Sequence, residues 1–255
     1  MPKDLSTCLR HHTCLYASFD RTVDADFSRG NGTAKYPSRV VRRTLHGGHN
    51  GGALQFSAAD YGWAEDEFTF PAEGNFPYSQ EAFDGTIALW LSCDPEADLA
   101  PAYPVDPFHI SRHPADGSFY LDFTRPDDER YGSPRKLRLG MYGDSPERQR
   151  HVGGRLLVVG DLGWQREEWH HVVATWRNVN SGQKDCAAEI YIDGVRRGWM
   201  AGFEHRLTWA IREMKIGIGQ RYTGLVDEVL VLDRALSSSQ IGTLFGLLRP
   251  VGDLL

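Results

Sequence analysis

Four cysteines in 255 residues are too few for a disulfide framework to hold together a chain of this length. Stability therefore has to come from a buried core. With 41% hydrophobic and 24% charged residues, the composition is ordinary enough to build one. No apolar run approaches the roughly 20 residues that cross a bilayer as a helix. The opening Met1-Pro2-Lys3-Asp4 is not followed by the apolar core of a signal peptide. Neither membrane insertion nor an export signal is expected of the chain as written. Positive charge is not in excess either: 34 acidic against 28 basic residues give a net charge of -6, which removes the electrostatic ground for a nucleic-acid or anionic-membrane partner. The basic trio Arg39, Arg42 and Arg43 reads as a solvated edge.

The familiar catalytic signatures are missing too. There is no Gly-x-Ser-x-Gly elbow, no phosphate-binding glycine loop and no His-Glu-x-x-His helix. Glu189 and Asp193 share one strand parity, but four residues of strand separate them by roughly 13 Å, too far for a retaining glycosidase pair. His109 and His113 flank Arg112 in a pattern suited, with a tyrosine, to lyase-type proton abstraction, and His170-His171 precede a strand. Ten histidines in the chain make such proximity ordinary, and a surface or structural role is expected for each. Cys8, His11, His12 and Cys14 lack the second half of a tetrahedral zinc site. A frayed terminus or a local Cys8–Cys14 disulfide is expected there instead.

What is present is punctuation. With 27 glycines and 13 prolines the chain breaks into short segments with little room for long helices. Between the breaks lie strand-length apolar or alternating runs: Thr86 to Ser92, Phe119 to Phe123, Leu137 to Met141, Leu156 to Val159, His170 to Trp176, Glu189 to Ile192, Lys215 to Ile218 and Leu225 to Leu232. So many strands without intervening helical patterns predict antiparallel sheets packed face to face. Asp193-Gly194, between Glu189-Ile190-Tyr191-Ile192 and Val195-Arg196-Arg197, predicts a two-residue hairpin of type I′. Ser237 and Gln240 form a capping-box pattern, and Leu236 can staple onto Ile241, which predicts one short helix from about Ser238 to about Leu247. The proline-rich acidic stretch from Asp94 to Pro107 reads as a long surface loop.

The second half of the chain resembles the laminin-G-like family of concanavalin A-type domains. The resemblance is carried, in order, by Glu168-Trp169-His170-His171-Val172-Val173-Ala174-Thr175-Trp176, by Glu189-Ile190-Tyr191-Ile192-Asp193-Gly194, by Lys215-Ile216-Gly217-Ile218-Gly219, and by Gly224-Leu225-Val226-Asp227-Glu228-Val229 running into Leu232-Asp233-Arg234-Ala235-Leu236-Ser237. Looser matches are Tyr16-Ala17-Ser18-Phe19-Asp20, Ser28-Arg29-Gly30-Asn31-Gly32, Gly51-Gly52-Ala53-Leu54-Gln55-Phe56 and Gly85-Thr86-Ile87-Ala88-Leu89-Trp90. The resemblance implies an all-β, concanavalin A-like jelly-roll sandwich of two antiparallel sheets with one short C-terminal helix. It implies an N-terminal extension over residues 1–15, a single domain over residues 16–255, and an extracellular setting.

The residues themselves leave the site open. Asp227 lies inside an apolar strand, where a carboxylate is costly unless a cation or several donors compensate it. Backbone N–H groups or an arginine are one solution. The resemblance implies another: a structural calcium ion held by Asp20 and Asp227, with oxygens near Asn31, in the mixed oxygen shell that calcium takes. Tyr61, Trp63, Tyr103, Trp164, Trp199, Trp209 and Tyr222 fall in or beside predicted loops, where flat rings can stack on sugars. Trp63, Trp164 and Tyr222 are the candidate ligand-binding residues, whereas Trp90, Trp169 and Trp176 sit in strand-like runs and read as core. The favoured reading is a non-catalytic recognition module for an oligosaccharide or polysaccharide. A glycan-cleaving hydrolase or lyase and a protein–protein adhesion module are the alternatives, and fold-level analogy warrants none of them by itself.

Overall fold

A computed structural model describes residues 3–36, 40–57, 67–100, 104–110, 117–144 and 156–255. Among them, fifteen strands form two wholly antiparallel sheets. The nine-stranded sheet contains β1 (Thr13–Ala17), β2 (Phe27–Ser28), β3 (Val41–Thr44), β4 (Ala53–Ser57), β6 (Phe83–Ser92), β11 (His170–Val179), β12 (Cys186–Ile192), β13 (Val195–Phe203) and β15 (Thr223–Leu232). The six-stranded sheet runs in the order β10-β9-β8-β7-β14-β5. Its members are β5 (Phe68–Pro71), β7 (Val105–Ile110), β8 (Ser118–Phe123), β9 (Leu137–Tyr142), β10 (Leu156–Val159) and β14 (Lys215–Gln220).

Strand alternation explains the main core. Ile87, Leu89 and Leu91 of β6, Val172, Ala174 and Trp176 of β11, and Phe119, Leu121 and Phe123 of β8 all point between the sheets and are buried there, as period-2 patterning requires. The central strands of the larger sheet are apolar on their other face as well. Ala88, Val173, Leu230 and Leu232 join a second cluster with Leu5, Leu9, Leu236, Ile241 and Leu244. The cover consists of α1 (Lys3–His12), α2 (Ser238–Phe245) and the 3-10 turn at Val251–Leu254.

The hairpin is as expected: Asp193 and Gly194 have φ of 52° and 76°, and Ile192 pairs with Val195 across the turn. Helix α2 begins with the predicted capping box, in which Gln240 N donates to Ser237 Oγ at 3.3 Å and Ser237 N donates to Gln240 Oε1 at 3.0 Å. It stops at Phe245, two residues before the expected end. Helix α1 corrects two expectations. The N-terminal segment is neither frayed nor bridged, because Leu5, Cys8 and Leu9 are buried on one helical face against the sheet and none of the four cysteines is in a disulfide. Among the described residues the C-terminal helix is therefore one of two. No helix among the described residues is long and apolar enough to cross a membrane.

Candidate functional site

The smaller sheet is apolar only on its inner face. Along β8 and β9 the alternate residues Tyr120, Asp122, Arg138, Gly140 and Tyr142 point away from the core, as do Asp106 and His109 on β7 and Gly217 and Gln220 on β14. Register sets Gly217, His109, Tyr120 and Gly140 in one row across four strands. The two glycines are seats. A Cβ at Gly217 would lie 2.0 Å from His109 Nε2, and one at Gly140 would lie 1.9 Å from Tyr120 Cζ. Each ring therefore lies over the neighbouring strand at a residue without a side chain, an approach that glycine alone permits.

The polar groups on this face are tied together. Asp122 takes a forked bond from Arg138, with Nε to Oδ1 at 2.8 Å and Nη2 to Oδ2, the bidentate geometry that suits guanidinium and carboxylate. Glu67 reaches His109 Nε2 at 3.3 Å and accepts a bond from Gln220 Nε2, while Asp106 stands 3.7 Å from His109 Nδ1. Tyr120 and Tyr142 are 5.3 Å apart between centroids, and the Arg138 guanidinium lies 5.5 Å from the Tyr131 ring. Burial pushes His109 down to about 4 and raises the Glu67 carboxyl and the Tyr120 phenol. At neutral pH His109 is thus an uncharged imidazole, well below the value near 7 that suits a general base. The face offers tyrosine rings beside a dense set of fixed donors and acceptors, which is the chemistry of binding hydroxyl-rich ligands.

A second constellation lies at the opposite sheet. Residues Asp227 and Glu228 occupy a β-bulge of β15, and Glu228 adopts φ of 52°, a region that non-glycine residues enter only under constraint. The bulge sends two consecutive carboxylates into the outer layer. Glu228 accepts from Tyr16 Oη and from Val251 N, both at 3.0 Å. Asp227 accepts from Glu228 N at 2.7 Å and from Asn50 N at 3.0 Å. The turn carrying Asn50 is also pinned by Asp20, whose Oδ1 accepts from Gly52 N at 2.8 Å. Burial and the neighbouring acids push Asp227 up to about 8 and Glu228 up to about 7. His49, in the same turn, stacks on Trp90 with centroids 3.4 Å apart and planes inclined by 12°. With Trp90, His171 and Glu228 it lines a small cavity.

The expected metal ligands meet only in part. Asp20 and Asp227 come together on the 47–52 turn, whereas Asn31 uses its Oδ1 to accept from Thr33 N at 2.9 Å and its carbonyl to accept from Asn75 Nδ2 at 2.7 Å. Among the described residues no group of three or more His, Cys, Asp or Glu side chains is arranged to hold a metal ion. A cation at the Asp20–Asp227 pair would have to complete its shell with backbone carbonyls and water, as calcium readily does. Arg43 Nη1 already donates to the Asp20 carbonyl at 2.8 Å. The hydrogen-bonded alternative for Asp227 is met by its two backbone donors.

The expected sugar platforms need correction. Trp164 is 3% exposed, stacked on His170 at 4.4 Å and edge-on to Phe123, and Tyr222 is fully buried with its hydroxyl 3.2 Å from the Ser92 carbonyl. Both rings fold inward because a large apolar surface at the sandwich rim is worth more in the core than in water. Trp209 is likewise buried, with Nε1 donating to the Gly117 carbonyl at 3.2 Å. Tyr61, Trp63 and Tyr103 lie outside the described residues. Of the presumed core rings, Trp90 and Trp176 are buried and Trp169 is half-buried. Of the outward residues of β7, β8 and β9 only His109 is singled out by the sequence, and for another role, although Phe-Tyr-Leu-Asp-Phe and Leu-Arg-Leu-Gly-Met-Tyr carry the signal of the rest as strict alternation.

Residues 64–242 match the family model described as the concanavalin A-like lectin/glucanases superfamily. No curated protein matches. Among solved structures, domain 4 of AbnA, an extracellular arabinanase from Geobacillus stearothermophilus in complex with arabinotriose, is similar at 17% identity and a TM-score of 0.57, covering 91% of this chain and 97% of that one. The ligand-binding domain of botulinum neurotoxin serotype D in complex with N-acetylneuraminic acid is similar at 10% identity and a TM-score of 0.62, covering 94% of this chain. The binding domain of Paraclostridial Mosquitocidal Protein 1 is similar at 14% identity and a TM-score of 0.60, covering 93% of this chain. The chain spans about half of each of these two toxin domains, 52% in both cases.

Proposed function

Because this chain belongs to the concanavalin A-like lectin/glucanase superfamily, we propose that it is a carbohydrate-recognition module whose ligand lies across the outer face of the six-stranded sheet. The observation that carries this reading is the row in which Tyr120 and His109 lie over Gly140 and Gly217, flanked by the Asp122–Arg138 fork and by Glu67. Rings supply flat apolar contact and the fixed polar groups supply direction, the usual division of labour in a small-molecule site. Two similar folds bind sugars in their solved structures, which supports the ligand class without specifying the ligand. The test is a glycan array that includes arabinotriose and N-acetylneuraminic acid, followed by calorimetry on Tyr120→Ala and Tyr142→Ala. Binding that both variants retain at full strength, or no binding at all, defeats the proposal. Release of new reducing ends or unsaturated products from a bound glycan would replace recognition by cleavage.

Calcium is proposed as a structural partner at Asp20 and Asp227. The supporting observation is that burial raises the Asp227 carboxyl, with Glu228 and Asp20 adding to it, and that only the backbone N–H groups of Asn50 and Glu228 oppose this, an arrangement that a divalent cation would relieve. Elemental analysis of protein purified without chelator, followed by melting with and without EDTA, tests it. An unchanged melt in a sample that contained the ion would leave Asp227 with its backbone donors alone.

A further inference from the structure

Among the described tryptophans Trp199 behaves differently from the rest. Trp199 is 64% exposed, and it stands on strand β13, not on a loop. It faces outward beside its cross-strand partner Glu189. That carboxylate is fixed from two sides: Tyr191 Oη donates to Oε2 at 2.6 Å and Arg196 Nη1 donates to Oε1 at 2.9 Å. Ser238 Oγ, at the start of α2, lies 2.8 Å from Tyr191 Oη and closes the network. A lone exposed apolar residue is ordinary. An exposed indole directly across from a carboxylate that is held from two sides is a more specific arrangement, since the polar half of a recognition element is in place before any ligand arrives.

We infer that Trp199, with Glu189 and Arg196, forms a second saccharide-binding platform on the outer face of the nine-stranded sheet, separate from the face of the smaller sheet. The indole takes the apolar face of a pyranose or furanose ring. Glu189 and Arg196 then accept from and donate to the hydroxyls at its rim. A sugar fits this chemistry better than a protein strand does, because β13 is an edge strand carrying Arg196 and Arg197, and charged side chains on an edge discourage strand addition. Two platforms on one domain would let the chain hold a polysaccharide at two points, with the avidity that linked contacts confer.

The indole N–H signal of Trp199, identified by its loss in Trp199→Phe, gives a readout at this position alone. The full chain is titrated with arabinotriose, N-acetylneuraminic acid and linear gluco-, xylo- and galacto-oligosaccharides. The expected result is that this signal shifts with at least one sugar, that Trp199→Ala and Glu189→Gln each weaken that response about tenfold with little change in melting, and that Tyr120→Ala leaves it intact. A signal that stays still across the whole panel overturns the platform. So does one that moves only while Tyr120 is present, since the response then originates at the other face. If Tyr120→Ala abolishes other binding while the Trp199 response persists, both sites stand; if the Trp199 response exists alone, only the first reading falls.

Discussion

The two outer faces of the sandwich solve the same problem in opposite ways. On the larger sheet the outward residues Ala88, Val173 and Leu230 are apolar, and two helices and a 3-10 turn cover them. On the smaller sheet the outward residues His109, Tyr120, Asp122 and Arg138 are polar or amphipathic and satisfy one another laterally. Covering a face adds a second core but hides it from ligands. A laterally paired face leaves Tyr120, Arg138 and Tyr142 half-buried while Asp122 and His109 are buried beneath their partners, at the cost of holding charges in desolvated surroundings. Function is accordingly expected where the sheet is polar and at the margin the helices leave open, where Trp199 emerges.

Four measurements would break or sharpen this comparison. Arg138→Met should have the largest effect, because it strands the buried Asp122 carboxylate without its fork; a loss of about 3–5 kcal/mol at neutral pH is expected from denaturant unfolding. The loss should shrink in acid, where Asp122 can be protonated, and a neutral substitution would show that the polar face is not a mutually dependent network. Leu230→Ala on the covered face should cost about 2–5 kcal/mol by the same measurement, and a cost under 1 kcal/mol would mean that the helical layer is only loosely docked.

The third concerns the acid pair where the covered face meets the 47–52 turn. In metal-free protein the carboxyls of Asp227 and Glu228 keep their protons up to about pH 8 and 7, against reference values of 3.8 and 4.5. The native state therefore binds more protons than the unfolded chain in that interval, so stability is fully present below about pH 4 and declines as pH rises through 7 and 8. Calcium, which needs the ionised form, should restore stability most at the alkaline end, by about 2.7 kcal/mol at a hundredfold excess over Kd. A melting temperature that rises with pH in metal-free protein contradicts the buried-acid geometry. The smallest effect is expected for Tyr120→Ala: roughly a tenfold loss of glycan affinity, about 1.4 kcal/mol, with a much smaller change in melting than Leu230→Ala.

Much of the fold is legible in one sequence because its signals are local. Asp193-Gly194 makes a hairpin since both residues tolerate positive φ, and Ser237 with Gln240 starts a helix since the two groups lie three residues apart. The alternation in β8, β9 and β11 sorts inward from outward residues by parity alone. Trp164 and Tyr222 were misread because a loop position does not say whether a ring turns toward solvent or toward the rim of a core, a choice made by neighbours such as His170 and Ser92 that are distant in the chain or on another strand. Helix α1 was missed because its amphipathic face is short and gains its value only from the sheet beneath it.

The sequence by itself determined that this chain is a two-sheet antiparallel sandwich with a defined hairpin and a capped C-terminal helix, because turn chemistry, capping and period-2 patterning act between residues close together in the chain. It also marked Asp227 as a carboxylate in need of compensation. Only the tertiary structure decided what compensates it, which rings remain exposed, and that His109, Tyr120 and two glycines share one row across four strands. Those outcomes depend on strand register and on the β-bulge at Asp227 and Glu228, and register is a property of pairings between segments, of which β7 with β14 and β6 with β15 lie more than a hundred residues apart, so that no local pattern encodes it.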